Sequence, residues 1–158
     1  MIKNILIWPD PALQKSSEKV EDIDSIRDLI QNMKDTLSSI GGIGLSAPQI
    51  GSLKRVCIVK CENKKDIVMI NPEMIDGLGE ITVIESCMSV PGEDIYKKRA
   101  PYICVKYRDE SGTAYKRNFS MPESVIIQHE VDHLDGIAIA DSLPHFERRR
   151  IQKRLESA

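Results

Sequence analysis

The chain has 158 residues, of which 41% are hydrophobic and 29% are charged, and its formal net charge is −2 at pH 7. This usage is typical of a soluble globular protein, so we expect residues 1–158 to form one domain, as a monomer in the cytoplasm, without a signal or transit peptide. The small net charge excludes a general attraction to DNA, and no apolar run approaches the roughly 18 residues of a membrane span.

The first forty residues predict an irregular arm followed by a helix. Trp8-Pro9-Asp10-Pro11 cannot be helical, because proline restricts the residue before it to extended conformations. A helix is predicted from Ser25 to Ser39, with Asp24 as its N-cap and Gly41-Gly42 as its stop. The apolar residues at helical spacing that would be buried are Ile26, Leu29, Ile30, Met33 and Leu37.

A glycine-rich segment follows at residues 42–51. It lacks the Lys-Ser/Thr ending of a phosphate-binding loop, and no strand precedes it. Two interpretations remain open from the residues alone. The segment is either a plain helix-to-strand turn, or a loop whose backbone lines a site and whose Gln49 supplies a directed amide.

Five strands are predicted between this loop and residue 120, separated by short polar turns at residues 62–65, 76–79 and 109–112. The strands are Arg55–Lys60, Ile67–Asn71, Glu80–Ile84, Tyr102–Arg108 and Ala114–Phe119. Connections this short favour antiparallel pairing over βαβ units. The expected fold class is therefore α+β, with antiparallel sheets packed around a helix at residues 121–135 and with N-terminal and C-terminal helices.

The four cysteines differ in their surroundings. Cys57, Cys61 and Cys104 lie in apolar, strand-like runs, and Cys57 and Cys104 are expected to act as small buried hydrophobic residues. Cys87 lies among polar residues in the segment 85–91, so it is the best candidate for a thiolate ligand. No disulfide framework is expected.

Residues 125–136 contain the pattern His-Glu-x-x-His, formed by His129, Glu130 and His133. On a helix, residues four apart share one face, so both imidazoles can bind one divalent metal ion. Glu130, beside the first ligand, is placed to act as general base. The third ligand is open at this stage, between the upstream Cys87 and the downstream Glu147.

The helix that carries this pattern is predicted to be buried. Ser120 and Glu123 form a capping-box pattern at its start, and Gly136 is its expected stop. Val125 and Ile126 share the face of the two histidines. A second apolar face is formed by Ile127, Val131 and Leu134, and a helix that is apolar on two sides is buried.

The C-terminal segment 144–158 is predicted to be a basic helix. Its thin apolar edge consists of Phe146, Ile151 and Leu155. Its basic residues are Arg148, Arg149, Arg150, Lys153 and Arg154. The basic face is either merely solvated or a docking surface for an anionic partner such as ribosomal RNA.

Three separated motifs together resemble the signature motifs of peptide deformylases. They are Gly42-Ile-Gly-Leu-Ser-Ala-Pro-Gln49, Glu85-Ser-Cys-Met-Ser89 and Gln128-His-Glu-Val-Asp-His133. The resemblance covers nearly the whole chain, and it implies removal of the formyl group from the N-terminal formylmethionine of newly made polypeptides. It also implies that Cys87 is the third metal ligand, and that the metal is Fe²⁺ in the cell, replaceable by Zn²⁺, Ni²⁺ or Co²⁺.

The same resemblance, combined with the predicted helix face, gives a set of site residues. The oxyanion of the reaction would be held by the Gln49 amide and the backbone N–H of Met88. The expected substrate-binding residues are Ile43, Gly44, Leu45, Val83, Ser86, Val125 and Ile126. Gly44 would bind the peptide through its backbone, as an added strand.

Three residues depart from the usual motifs of the family. Ser86 stands in place of glycine, Met88 in place of leucine, and Ser46 where alanine is commoner. The Met88 change conserves apolar character and volume. Ser86 adds a side chain where the family brings backbone against the peptide, so we expect altered peptide binding with the metal retained.

Three other functions are compatible with parts of the pattern. A small zinc endopeptidase would use the same helix with Glu147 as third ligand. A metal-stapled module without activity would dock on RNA through residues 145–156. A family member with altered substrate preference would be explained by Ser86.

Overall fold

Antiparallel sheets surround one buried helix in the computed structural model, which describes residues 1–62 and 65–158. The strands are β1 (Gly44–Ser46), β2 (Val56–Val59), β3 (Ile67–Leu78), β4 (Ile81–Cys87), β5 (Val90–Arg99), β6 (Tyr102–Arg108) and β7 (Ala114–Phe119). The α-helices are α1 (Arg27–Ile40), α2 (Glu123–Leu134) and α3 (His145–Glu156). Short 3-10 helices span Pro11–Gln14, Ile23–Ile26, Ala47–Ile50 and Ile139–Ser142.

The strands form a five-stranded sheet in the order β1-β2-β3-β6-β7 and a separate two-stranded sheet, β4-β5. Every pair between these strands is antiparallel. The α+β prediction is therefore confirmed, with α2 packed against β1 and β2. Within the described residues, no helix has the length and apolar character that crossing a membrane requires.

The strand predictions are confirmed in part. Strands β6 and β7 have the predicted bounds. The turn predicted at residues 76–79 is wrong, because β3 continues to Leu78 and Asp76 pairs with Cys104 of β6. The turn predicted at residues 62–65 includes residues 63 and 64, which lie outside the described residues. Strands β1 and β5 were not predicted.

The start of the N-terminal helix differs from the prediction. Asp22, rather than Asp24, is the capping residue, and its Oδ1 accepts a hydrogen bond of 3.0 Å from the Asp24 N–H. A 3-10 turn follows, and α1 begins at Arg27. The helix ends as predicted, because Gly41 adopts φ of 67°, which glycine reaches without strain. Of the predicted apolar face, Ile26, Ile30, Met33 and Leu37 are buried, whereas Leu29 is only partly buried.

The start of α2 also differs from the prediction. Ser120 does not cap the helix with its side chain; only its carbonyl accepts a hydrogen bond, from the Ser124 N–H at 2.9 Å. The predicted end is confirmed at Gly136, where φ is 78° and a Cβ atom would lie 2.9 Å from the backbone of Gln14. Glycine therefore lets the N-terminal arm pass directly over the end of α2.

Three apolar clusters hold these elements together. The first joins α1 to β1, β2 and β3, and the second joins the inner face of α2, with Ile127 and Leu134, to the large sheet. The third joins Trp8 of the arm, Cys87 and Ile151 of α3. Phe146 was predicted on the apolar edge of α3, but its 71% exposure shows that it does not pack there. The four cysteines all lie within the described residues, and none of them forms a disulfide.

Candidate metal centre

The site forms where the end of β4 meets the face of α2. One potential ligand atom from each of Cys87, His129 and His133 lies within 4.8 Å of the others. Cys87 Sγ is 3.4 Å from His133 Nε2. The two imidazole rings have centroids 5.0 Å apart, as expected for residues one helical turn apart. Local helix periodicity supplies the two nitrogens, and the β4–β5 hairpin supplies the sulfur.

His133 is buried deeply at this centre, with 1% of its surface exposed. Burial, followed by the charges of His129 and Arg99, lowers its pKa to about 3. The ring is therefore neutral near pH 7, and a neutral imidazole has the lone pair that a cation needs. Its Nδ1 atom is buried without a hydrogen-bond partner among the described residues, so Nε2, near Cys87, is the nitrogen placed to coordinate.

His129 is oriented by a carboxylate behind it. Its Nδ1 lies 2.8 Å from Glu85 Oε1, which leaves Nε2 as the nitrogen available to a cation. Burial lowers the pKa of His129, but hydrogen bonds to Cys87 and Glu85 outweigh burial and raise it well above its ordinary value, so a metal ion that binds Nε2 has to displace a proton. A carboxylate that accepts from the remote nitrogen of a histidine ligand is a common feature of protein metal sites.

Arg99 holds Glu85 in place. Its Nε and Nη2 atoms donate to the two carboxylate oxygens at 2.6 and 2.9 Å. Burial raises the pKa of Glu85, but Arg99 and His129 outweigh it and lower this pKa to about 2. The third donor, Arg99 Nη1, lies 2.6 Å from Asp132 Oδ2 on α2. Arg99 of β5 therefore connects β4, which carries Cys87, to the helix that carries both histidines.

The donor set fits a divalent metal ion. One thiol sulfur and two imidazole nitrogens are preferred ligands of zinc and are compatible with iron. The neutral ring of His133, the carboxylate behind His129 and the close approach of the sulfur are all features of a three-ligand site. Glu147 lies in the first turn of α3 and is not in this group of residues.

Glu130 lies beside the three candidate ligands and is 4% exposed. Its Oε1 accepts a 2.7 Å hydrogen bond from Ser46 Oγ. Its Oε2 lies against Gly44, where a Cβ atom would come within 2.5 Å of that oxygen. Burial raises the pKa of Glu130, and the charge of His129 and the bond from Ser46 only partly oppose this effect.

Gln49 reaches the site from the 3-10 turn after β1. Its Nε2 is 3.2 Å from Ser89 Oγ and 3.7 Å from Cys87 Sγ, and its Oε1 accepts a 3.0 Å bond from the Ser46 N–H. The side chain is 1% exposed. The glycine-rich segment is thus a site-lining loop rather than a plain turn, which decides between the two interpretations of residues 42–51.

The N-terminal arm fastens two segments of the site. The Leu6 N–H donates to the Gln49 carbonyl, and the Trp8 N–H donates to the Ser89 carbonyl, both at 2.8 Å. Trp8 is anchored in turn by a 2.9 Å bond from its Nε1 to Asp141 Oδ1. A segment predicted only as irregular therefore bridges the loop that carries Gln49 and the turn that follows Cys87.

A pocket of about 380 Å³ is lined by two of the candidate ligands, Cys87 and His129. Of the residues predicted to bind substrate, it is lined by Ile43, Gly44, Val83, Ser86, Val125 and Ile126. Gln49, Met88 and Glu130 also line it. Leu45 does not, because its side chain is fully buried beneath β1 in the first apolar cluster. The lining also includes Gly42, Ile84, Glu85, Met121 and Pro122, which were not predicted.

Four contributors to the site were not assigned these roles from the sequence: Ser46, Glu85, Ser89 and Arg99. A signal existed for Glu85, because residues two apart on a strand point to the same side and Cys87 is the candidate ligand. Glu85 and Cys87 are indeed both buried on β4. The partnership of Arg99 with Asp132 had no such signal, since only tertiary packing brings them together.

The family model of polypeptide deformylase matches residues 2–149 of the chain. The peptide deformylase of Pelodictyon phaeoclathratiforme is 38% identical over 162 aligned positions, which cover 98% of this chain and 86% of the relative. That of Thermodesulfovibrio yellowstonii is 37% identical over 161 positions, covering 99% and 98%.

Solved structures give the same result. A peptide deformylase from Legionella pneumophila superposes with a TM-score of 0.92 at 34% identity, covering 99% of this chain and 95% of that one. The peptide deformylase of Ehrlichia chaffeensis in complex with actinonin gives 0.91 at 31% identity, with coverage of 99% and 96%.

Proposed function

The chain belongs to the polypeptide deformylase family, and from this premise we propose that it removes the formyl group from the N-terminal formylmethionine of newly made polypeptides. The products are formate and a free amino terminus. The observation that carries the proposal is the convergence of Cys87, His129 and His133, with Cys87, His129 and Glu130 lining a mostly apolar pocket.

Cys87, His129 and His133 are the proposed ligands of one divalent metal ion, Fe²⁺ in the cell, with Zn²⁺, Ni²⁺ or Co²⁺ as substitutes. When bound, such an ion supplies Lewis acidity, which activates water and polarises a carbonyl. Glu85 orients His129 for this role, and Arg99 keeps Glu85 ionised and fixed.

Glu130 is the proposed proton carrier. Attack of water on the formyl carbon forms a C–O bond, and the proton that the water loses passes to Glu130 Oε2, which lies beside Gly44, another residue of the pocket lining. Glu130 then gives this proton to the departing nitrogen as the C–N bond breaks. Formic acid and the peptide amine leave, the Glu130 carboxylate is restored, and formic acid ionises to formate by giving its remaining proton to solvent.

The negative charge that develops on the formyl oxygen needs nearby donors. We assign this role to the Gln49 side-chain amide and the Met88 backbone N–H, both of which belong to residues that line the pocket. The Gln49 amide nitrogen makes two contacts, and the one to Cys87 Sγ is the longer, at 3.7 Å. The N–H of this longer contact is the one that we assign to the substrate. One such donor contributes about 3 kcal/mol to the transition state.

The pocket is the proposed binding site of the methionine side chain. Ile43, Val83, Val125 and Ile126 provide apolar walls of the kind that a thioether fills well. The Gly44 backbone is the proposed partner of the peptide backbone. Because a formyl group is the smallest acyl group, a closely fitted site at Gly44 and Glu130 would exclude acetylated chains.

Helix α3 is the proposed ribosome contact. Arg150 and Arg154 pair with Glu93 of β5, so these two fasten the helix to the domain. Arg149 and Lys153 are exposed on the same helix and are the residues we assign to RNA phosphates. Salt-sensitive sedimentation with ribosomes, lost in the doubly substituted R149E/K153E, is the expected result.

Formate release from formyl-Met-Ala-Ser, followed with purified protein whose metal has been identified, tests the main proposal. We expect release from this peptide and none from acetyl-Met-Ala-Ser. Cleavage of an internal peptide bond, without formate release, would instead support a zinc endopeptidase. Binding of metal without either reaction would support the module that only docks on RNA.

A further inference from the structure

Ser46 makes a side-chain contact with the proposed proton carrier that the usual alanine at this position would not make. Its Oγ lies 2.7 Å from Glu130 Oε1 and 3.2 Å from the Glu130 carbonyl oxygen. Ser46 is fully buried on β1, and Glu130 is buried on α2. The contact therefore joins the sheet to the catalytic helix at the reacting carboxylate itself.

The two acceptors are not equivalent. A serine hydroxyl has one hydrogen, and a distance of 2.7 Å is typical of an O–H donor bound to a carboxylate, whereas 3.2 Å is long for such a bond. Among the described residues, no other side chain is recorded as donating a hydrogen bond to the Glu130 carboxylate. The hydroxyl therefore holds Oε1, while Oε2 lies beside Gly44, where a Cβ atom would come within 2.5 Å of it.

The backbone of Ser46 positions a second proposed catalytic group. Its N–H donates a 3.0 Å hydrogen bond to Gln49 Oε1, which fixes the direction of the Gln49 amide. Ser46 is itself held in register opposite Cys57, which is fully buried on β2. A rigid strand residue thus sets the positions of Glu130, through its side chain, and of Gln49, through its backbone.

We propose that Ser46 is a positioning residue for the deformylation reaction, which fixes Glu130 by holding Oε1 and so presents Oε2 to the water and to the departing nitrogen. This inference rests on the function proposed above. Without the hydroxyl, the carboxylate can rotate about its terminal bond in the space that Gly44 leaves, and the fraction of molecules with a correctly directed oxygen falls.

The substitution Ser46→Ala separates the two roles of this residue, because it removes the hydroxyl and keeps the N–H that binds Gln49. We expect kcat for formyl-Met-Ala-Ser to fall about tenfold or more, with KM and bound metal within about twofold of the unsubstituted protein. A fall in kcat alone is the result of a misdirected proton carrier, whereas general damage to the pocket would also raise KM.

Ser124→Ala is the matched control. Ser124 is fully buried on α2, the helix that carries Glu130, and its Oγ has no hydrogen-bond partner among the described residues. Loss of this hydroxyl should leave kcat, KM and metal content unchanged. Thermal unfolding of both variants then shows whether the loss of a buried hydroxyl at α2 is enough by itself to change the stability of the protein.

A crystal structure of metal-free S46A gives a readout that needs no activity. We expect the Glu130 carboxylate to be rotated or disordered, with the Gln49 amide in place. An unchanged Glu130 would overturn the inference, and so would an S46A kcat equal to that of the unsubstituted protein. If the unsubstituted protein released no formate, the proposed function would fail, and the structure would still decide whether Ser46 fixes Glu130.

Discussion

Arg99 Nε lies 2.6 Å from Glu85 Oε2, and both side chains are only 7% exposed. This ion pair lies directly behind His129, because Glu85 contacts His129 Nδ1. Arg99 therefore influences the geometry of the candidate metal centre through Glu85. Buried pairs of this kind are costly to break because the remaining charge loses its partner.

The substitution Arg99→Ala should therefore lower the free energy of unfolding by about 3–5 kcal/mol, because Glu85 and Asp132 both lose a donor. Chemical denaturation measures this change. Arg27→Ala is the control, because Arg27 pairs with Asp24 at the exposed surface and its loss should cost less than about 1 kcal/mol. Equal effects of the two substitutions would show that the buried pair adds no stability.

The substitution Cys87→Ser tests the sulfur ligand. We expect loss or marked weakening of metal binding, because a serine hydroxyl is a poor replacement for a thiolate at a site with two imidazoles. Elemental analysis of protein purified without oxygen gives the measurement. Cys104→Ser, on β6 and outside the group of candidate ligands, should keep a full equivalent of metal. Full metal content in C87S would remove Cys87 from the site.

The substitution Glu130→Gln tests the proton carrier. The amide keeps the size of the side chain and can accept the Ser46 hydrogen bond, but it cannot take up a proton. We expect bound metal to be retained and kcat to fall by about 10²–10⁴-fold. Steady-state kinetics on metal-loaded protein makes the comparison, and activity close to that of the unsubstituted protein would refute this role.

The substitution Ser86→Gly tests the departure from the usual cysteine motif. Ser86 is exposed in the pocket wall between Glu85 and Cys87, so its side chain occupies space near an incoming peptide. We expect a lower KM for formyl-Met-Ala-Ser, with a loss of about 0.5–1 kcal/mol in stability from glycine in a strand. Thr82→Gly, exposed on the same strand but not in the pocket lining, should lose stability without a change in KM.

Local sequence patterns predicted the elements whose structure is decided locally. Strand β6 alternates in burial along the chain, a polar turn separates it from β7, and α1 carries one apolar face. Strand β5 was missed because Pro91, Gly92 and several charged residues are poor strand formers, and its conformation comes from pairing with β4. Strand β1 has three residues, too few for any periodicity.

The candidate site could be predicted where its residues lie together in short sequence motifs. The spacing of His129 and His133 gives two nitrogens on one helical face, but the residues alone left Cys87 and Glu147 as rival third ligands. The resemblance to a family favoured Cys87, and the fold places its sulfur 3.4 Å from His133 Nε2. The bonds from Ser46 to Glu130 and from Arg99 to Asp132 join residues distant in sequence, so no local pattern could indicate them.

The hydrogen bonds from residues 6 and 8 to the Gln49 and Ser89 carbonyls give the arm a mechanical role. The arm connects the two segments that lie on either side of the candidate site, and the hydrogen bond from the Trp8 indole to Asp141 anchors it. These hydrogen bonds hold the loop that carries Gln49 and the turn that carries Ser89 at a fixed separation. The shape of the candidate pocket is thus maintained partly by a stretch of chain that contributes no candidate ligand and belongs to neither sheet.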